Sequence, residues 1–191
     1  MKKFSPWYVV LGVVVLLVLW LIWSYNELVR AKGNVENSWA QVETQYQRRI
    51  DLVPNLVNTV KGAANFEQST LQSVTEARSA WAQAKTIGDR GQEIAAAQSF
   101  DSSLSRLLVT VEAYPQLQAT QAFRDLMTQL EGTENRISTA RRDYNDAVFS
   151  YNVRVRSFPG VLAASIFGFG PEKSFEAQEG ADTAPTVDFT K

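Results

Sequence analysis

RRIDLVPNLVNTVKG, residues 48–62, is the stretch whose reading decides the fold. Ile50, Val53, Val57 and Val60 recur at steps of 3 and 4, and Leu52 and Leu56 widen the stripe. That spacing is one face of an α-helix. Pro54 lies inside the pattern. A proline in a helix interior removes one backbone hydrogen bond and crowds the carbonyl four residues back, at a cost of about 3 kcal/mol. The stretch therefore reads as part of a long helix that bends at a fixed place. Gly62 supplies its stop.

Traced backward, the stripe continues through Tyr46, Val42, Trp39, Val35 and Leu28 to Tyr25, close to a heptad pattern from Val35 onward. Before it, residues 7–23 read WYVVLGVVVLLVLWLIW, and no charge falls between Lys3 and Glu27. About 20 apolar residues cross a bilayer core, so the segment is long enough to span. Trp7 and Tyr8 at one end, and Trp20, Trp23 and Tyr25 at the other, resemble aromatic belts. A cleaved signal peptide or a buried core helix would also be apolar. The run outlasts a usual signal core, however, and no small-residue cleavage site follows it. Lys2 and Lys3 flank one side, Arg30 and Lys32 the other. This balance leans towards an extracytoplasmic soluble domain.

Traced forward, a second helix fits residues 66–86, with Leu71, Val74, Ala77, Trp81 and Ala84 on one face. The loop IGDRG, 87–91, breaks it. A third helix fits 92–113 through Ala97, Phe100, Leu104, Leu107 and Val111, and Pro115 starts a turn. The fourth carries Phe123, Leu126, Leu130, Thr133, Ile137, Ala140, Tyr144, Val148, Tyr151, Val155 and Phe158. It stops at Phe158-Pro159-Gly160. The uncharged run VLAASIFGFG follows, then an acidic tail. The first and fourth helices span roughly 55–60 Å, the second and third roughly 30 Å.

The expected fold is therefore all-α: an N-terminal transmembrane helix, then an elongated antiparallel four-helix bundle with long first and fourth helices. The segments are an anchor at 1–24, the helical bundle at 25–158, an apolar membrane-proximal segment at 159–170 and a flexible tail at 171–191. Only Val187, Asp188 and Phe189 in the tail look like a docking point. The half near the membrane would be a two-helix stalk. Antiparallel pairing of the long helices places residues whose numbers sum to about 183 side by side. Arg48 and Arg49 then face Glu134 and Asn135, and Trp39 faces Tyr144.

The doubled arginine with Asp51, Pro54 and Asn55 beside the apolar stripe resembles the signature of the LemA family. So do YNELV at 25–29, VTEAR at 74–78, TENRISTARRDYNDAVFSYN at 133–152, FPGVLAASIFGFG and the distal VDF. The resemblance implies a membrane-anchored helical bundle without a defined reaction. It also implies a role in envelope maintenance beside HtpX-type membrane metalloproteases.

Composition narrows the chemistry. The chain has no cysteine and no histidine, which removes disulfides, the commonest general base and the commonest metal ligand. A net charge of −1 gives no footprint for nucleic acid. The acids show no repeated metal-binding spacing, FGFGP lacks the lysine of a phosphate loop, and no local pattern supports a Ser–Lys dyad. No cofactor is expected.

The densest polar group is Arg48, Arg49 and Asp51 with Glu134, Asn135 and Arg136. It reads as an interhelical salt-bridge network that fixes register, or as an anion site, since arginine presents a fork suited to carboxylate or phosphate. The dipeptides Tyr25-Asn26, Tyr144-Asn145 and Tyr151-Asn152 read as packing and register devices, or as partner recognition. Two helices cannot bury Val35, Trp39, Tyr144, Val148 and Tyr151 as four can, so the stalk is expected to meet a partner or a second copy. Val161, Leu162, Ile166, Phe167 and Phe169 are expected at the membrane surface, either in the lipid interface or folded back to cap the stalk. The functional reading is a non-catalytic, self-associating membrane scaffold. The alternative is a sensor with an anion site in the distal bundle.

Overall fold

The computed structural model describes residues 6–62 and 66–176, and among them every regular element is helical. The helices are α1 (Pro6–Lys61), α2 (Gln68–Ile87), α3 (Arg90–Val111), the single turn α4 (Pro115–Gln118), α5 (Gln121–Arg156) and α6 (Gly160–Phe167). Val187, Asp188 and Phe189 lie outside the described residues.

Helix α1 has 56 residues, so it is about 84 Å long. It is the one described helix long and apolar enough to cross a membrane. Its side chains from Trp7 to Leu19 are exposed; burial begins at Ser24 and Leu28 and continues along the predicted stripe to Val60. The helix runs through Pro54, whose missing N–H leaves the Ile50 carbonyl without its helical partner.

Helix α2 buries the five predicted residues and ends at Gly88, whose left-handed conformation (φ 73°) lets its N–H reach the Ala84 carbonyl at 3.1 Å. The Asp89 carboxylate caps α3 by accepting from the Gln92 amide at 2.8 Å. Helix α3 buries its predicted face, plus Glu93 and Ile94. Thr120 caps α5, which buries the predicted stripe from Phe123 to Val155. Phe158 leaves that stripe and is exposed, because Ser157 is already extended and ends the helical face.

Helices α1 and α5 pair antiparallel in the expected register. Trp39 meets Tyr144 with ring centroids 5.1 Å apart, Arg49 pairs with Glu134, and Glu27 pairs with Arg154 at 2.9 Å. Helices α2 and α3 pack against each other and share one core with them; Tyr46 stacks on Trp81 at 5.0 Å.

The half near the membrane is not a bare two-helix stalk. Residues 168–176, expected in part as a solvated tail, form a non-helical strap along α5 as far as Phe175, which is buried. Val35, Trp39, Tyr144, Val148 and Tyr151 are buried within one chain instead of forming an exposed contact surface, and the strap touches Trp39, Tyr144 and Tyr151. Helix α6 folds back against α1 and α5, with Phe167 and Phe169 edge-on to Tyr25 at 4.8 and 5.9 Å. Gly160 is required there, since a Cβ would overlap the Arg154 carbonyl.

Candidate functional site

Two polar arrangements sit in the bundle, one at its middle and one towards the membrane.

The first is built on Asp101, which lies on α3 beside the apolar stripe and so points between α1 and α5. Arg49 donates to Asp101 Oδ1 at 2.9 Å and to Glu134. The Tyr46 hydroxyl donates to Asp101 Oδ2 at 2.7 Å, and Arg141 donates to that oxygen and to the Tyr46 hydroxyl. The Arg49 side chain is 8 % exposed and Asp101 15 %, whereas Glu134 is 56 % exposed. Burial pushes the Asp101 carboxyl above the usual carboxylate range, against the pull of Arg141, the Tyr46 hydroxyl and Arg49. Burial, with the Asp101 charge, also raises the Tyr46 hydroxyl.

Of the six residues predicted for this cluster, only Arg49 and Glu134 meet. Arg48, Asp51, Asn135 and Arg136 are exposed, and Asp51 accepts from Gln47 on its own helix at 2.8 Å. The fork of Arg49 is already occupied by two carboxylates, so a free anion would have to displace one of them. Asp101, Tyr46 and Arg141 escape sequence reasoning as a group. The available signal is an acid at the 3-and-4 spacing of an inward stripe, between Ala97 and Leu104.

The second arrangement is the strap groove. Tyr144-Asn145 and Tyr151-Asn152 repeat after one heptad, so both pairs face the same side of α5. Each tyrosine turns its ring inward and each asparagine lies at the groove edge. The Asn145 amide donates to the Phe175 carbonyl at 3.1 Å and accepts from its N–H at 2.9 Å. Asn152 does the same for Glu172, at 2.8 Å in both directions. The Tyr144 hydroxyl donates to the Lys173 carbonyl at 2.6 Å, and the Tyr151 hydroxyl to the Gly170 carbonyl at 2.9 Å. The Phe175 ring stacks on Trp39 at 5.9 Å, meets Tyr144 edge-on, and lies under the Arg141 guanidinium at 4.6 Å. Arg90, at the hairpin end of α3, covers the other ring, 4.1 Å from the Trp39 centroid.

Burial pushes the Tyr144 hydroxyl up to about 12 and raises that of Tyr151. Raised phenol values mean that the fold favours the protonated form. That stability is complete below the ordinary value of 10.0 and is lost as pH climbs through about 12. Tyr46, Tyr144 and Tyr151, three of the six tyrosines, should therefore ionise late and in step with the loss of helical circular dichroism. Complete tyrosinate absorbance near pH 10.0 with the helices intact would contradict this.

At the membrane end, α6 turns Ala163 and Ala164 inward and leaves Leu162, Ile166 and Phe167 exposed. Val161 and Phe169 are partly buried. The segment therefore caps the stalk with one face and presents an apolar face with the other.

A family model described as the LemA family matches residues 38–189, from the groove floor at Trp39 past the strap. The chain belongs to the LemA family. Among curated relatives, Magnetosome protein MamQ 1 of Paramagnetospirillum magneticum is 28% identical over 193 residues, covering 89% of this chain and 71% of that protein. Magnetosome protein MamQ of Magnetospirillum gryphiswaldense is 27% identical, covering 85% and 68%. Protein LemA of Metamycoplasma hominis is 26% identical over 133 residues, covering 70% of this chain and 60% of that protein. This LemA-family chain is a membrane-associated helical protein, and both polar arrangements fall within the matched residues.

Proposed function

We propose that the chain is a membrane-anchored, single-pass helical scaffold of the bacterial envelope that works through protein contacts and not through catalysis. The observation that carries this reading is the continuity of α1. One helix begins as an exposed apolar segment and becomes a core element of the bundle without a break. A position fixed in the bilayer is thereby carried into the bundle by a single helix. The polar clusters support the same reading, because the carboxylate of Asp101 and the amides of Asn145 and Asn152 are taken up by Arg49, Tyr46, Arg141 and the strap. The occupation of the Arg49 fork by Asp101 and Glu134 favours the scaffold over the sensor alternative.

On this reading the soluble part is extracytoplasmic and the membrane is an inner membrane. The exposed face of Leu162, Ile166 and Phe167 lies in the lipid interface beside Trp20 and Trp23. The partners are further copies of the chain and envelope proteins, HtpX-type metalloproteases among them. The test is the mass of the protein taken from its native membrane in a native nanodisc. A scaffold is expected to exceed the 21.3 kDa of one chain. A single-chain mass at every expression level would overturn the reading.

A further inference from the structure

The strap groove is built as a receptor for an extended chain. Asn145 and Asn152 are seven residues apart, which is about 10.5 Å along a helix. The two backbone positions they clamp, Phe175 and Glu172, are three residues apart, which is about 10 Å in an extended chain. Helix and strap thus run antiparallel with matched repeats. Each asparagine takes both the N–H and the C=O of its residue. Main-chain recognition of that kind places no demand on the side chains at 173 and 174. The aromatic slot does make a demand at 175, through Trp39, Tyr144 and Arg141. Lys32 adds a preference at 172, pairing with Glu172 at 3.4 Å. The ligand class is therefore an extended segment with an acid at the first clamp and an aromatic at the second.

Among the described residues, the extended segment that meets this description is the chain's own strap, and every copy carries it. The strap joins α6 through Gly168, in the left-handed region, and then Gly170-Pro171. A change of direction at Gly170-Pro171 moves residues 172–175 and leaves Phe167 and Phe169 packed on Tyr25. The bilayer settles the rest of the geometry. Two anchored copies point the same way, with their grooves at the same height. Asn152 lies four residues before the end of α5, about 6 Å above it. A two-fold axis along the bilayer normal sets groove against groove, and each strap then makes in the neighbour the same contacts that it makes at home.

From this geometry we infer that the α1–α5 groove binds the 172–175 strap of a second copy, so that the chain dimerises in the membrane by exchanging straps. The inference rests on the scaffold reading and supplies the contact that such a scaffold would use.

The absence of native cysteine makes a direct test clean. Lys173 Cδ lies 3.2 Å from where a Cβ on Gly91 would sit, so these two positions report strap against groove. Two differently tagged full-length copies, one carrying Gly91→Cys and the other Lys173→Cys, are reconstituted in the same phospholipid vesicles and treated with a short bis-maleimide. A chain carrying both substitutions reports closure within one copy, and helical circular dichroism confirms that each variant folds. The expected result is a cross-link between the two tags that is lost when the Lys173→Cys copy also carries Phe175→Ser. Cross-linking confined to the doubly substituted chain would overturn the exchange. So would an inter-tag cross-link that survives Phe175→Ser, since copies would then touch without sharing straps. Either result leaves the native-membrane mass to decide the scaffold reading independently.

Discussion

Asp101→Ala is expected to lower the folding stability of the full-length protein by about 3–5 kcal/mol. Both carboxylate oxygens are in use, Oδ1 by Arg49 and Oδ2 by Tyr46 and Arg141. Alanine leaves Arg141, 26 % exposed, without a carboxylate and leaves Arg49, 8 % exposed, with Glu134 alone. Charges that are buried and unpaired carry their full desolvation penalty, which is why breaking such a pair costs far more than the pair contributes. Glu134→Ala removes the other partner of Arg49 but is expected to cost only about 0–1 kcal/mol, because a carboxylate that is 56 % exposed is well screened. Replacing the cluster together, as Tyr46→Phe, Arg49→Leu, Asp101→Leu and Arg141→Leu, should recover most of the loss, since an apolar core of similar volume needs no charge compensation. Denaturant unfolding in detergent micelles measures all three. A loss below about 1 kcal/mol for Asp101→Ala would show that water reaches the centre and that its charges are not held dry.

The contrast between Asp101 and Glu134 bears on what sequence can reveal. Glu134 could be paired with the doubled arginine by arithmetic, because two long antiparallel helices with fixed ends have only one sensible alignment. The same alignment put Trp39 against Tyr144. The inward faces of α2, α3 and α5 were legible for a related reason: burial imposes the 3.6 period on the apolar residues themselves, as in Leu71, Val74, Ala77, Trp81 and Ala84. Asp101 falls at the 3-and-4 spacing of the α3 stripe, between Ala97 and Leu104, but an acid there adds nothing to the apolar pattern. Its importance comes from where α3 crosses α1 and α5, which local spacing does not encode. Choosing Arg49 over Arg48 needed the helix rotation, not only its register. The strap was hidden more deeply. A non-helical segment has no period, and Pro171, Glu172, Lys173 and Ser174 have the composition of a solvated tail. What holds it is main-chain hydrogen bonding to asparagines 20 and 30 residues away. The heptad repeat of Tyr-Asn in α5 was visible, but its partner was not.

Phe175→Ala should release the strap as a unit, and this gives the second large effect. Truncating a buried phenylalanine usually costs about 3–5 kcal/mol when the surroundings cannot collapse. Here the strap is free to leave, so the loss cannot exceed the strap's own net binding energy. The two asparagine clamps behave differently from independent sites for the same reason. Asn145→Ala alone strips both partners from the Phe175 backbone and is expected to cost about 1–3 kcal/mol. Added to Phe175→Ala, it should cost almost nothing further, because the bonds it removes are already broken. Residues in one network depart from additivity in this way. The release also uncovers Trp39, which is 3% exposed with the strap in place. Its fluorescence should shift towards that of a hydrated indole, and a protease should cut within 170–176 while α5 stays intact. Additive losses with Trp39 still shielded would mean that the strap is held residue by residue, and that the groove does not act as a single receptor for it.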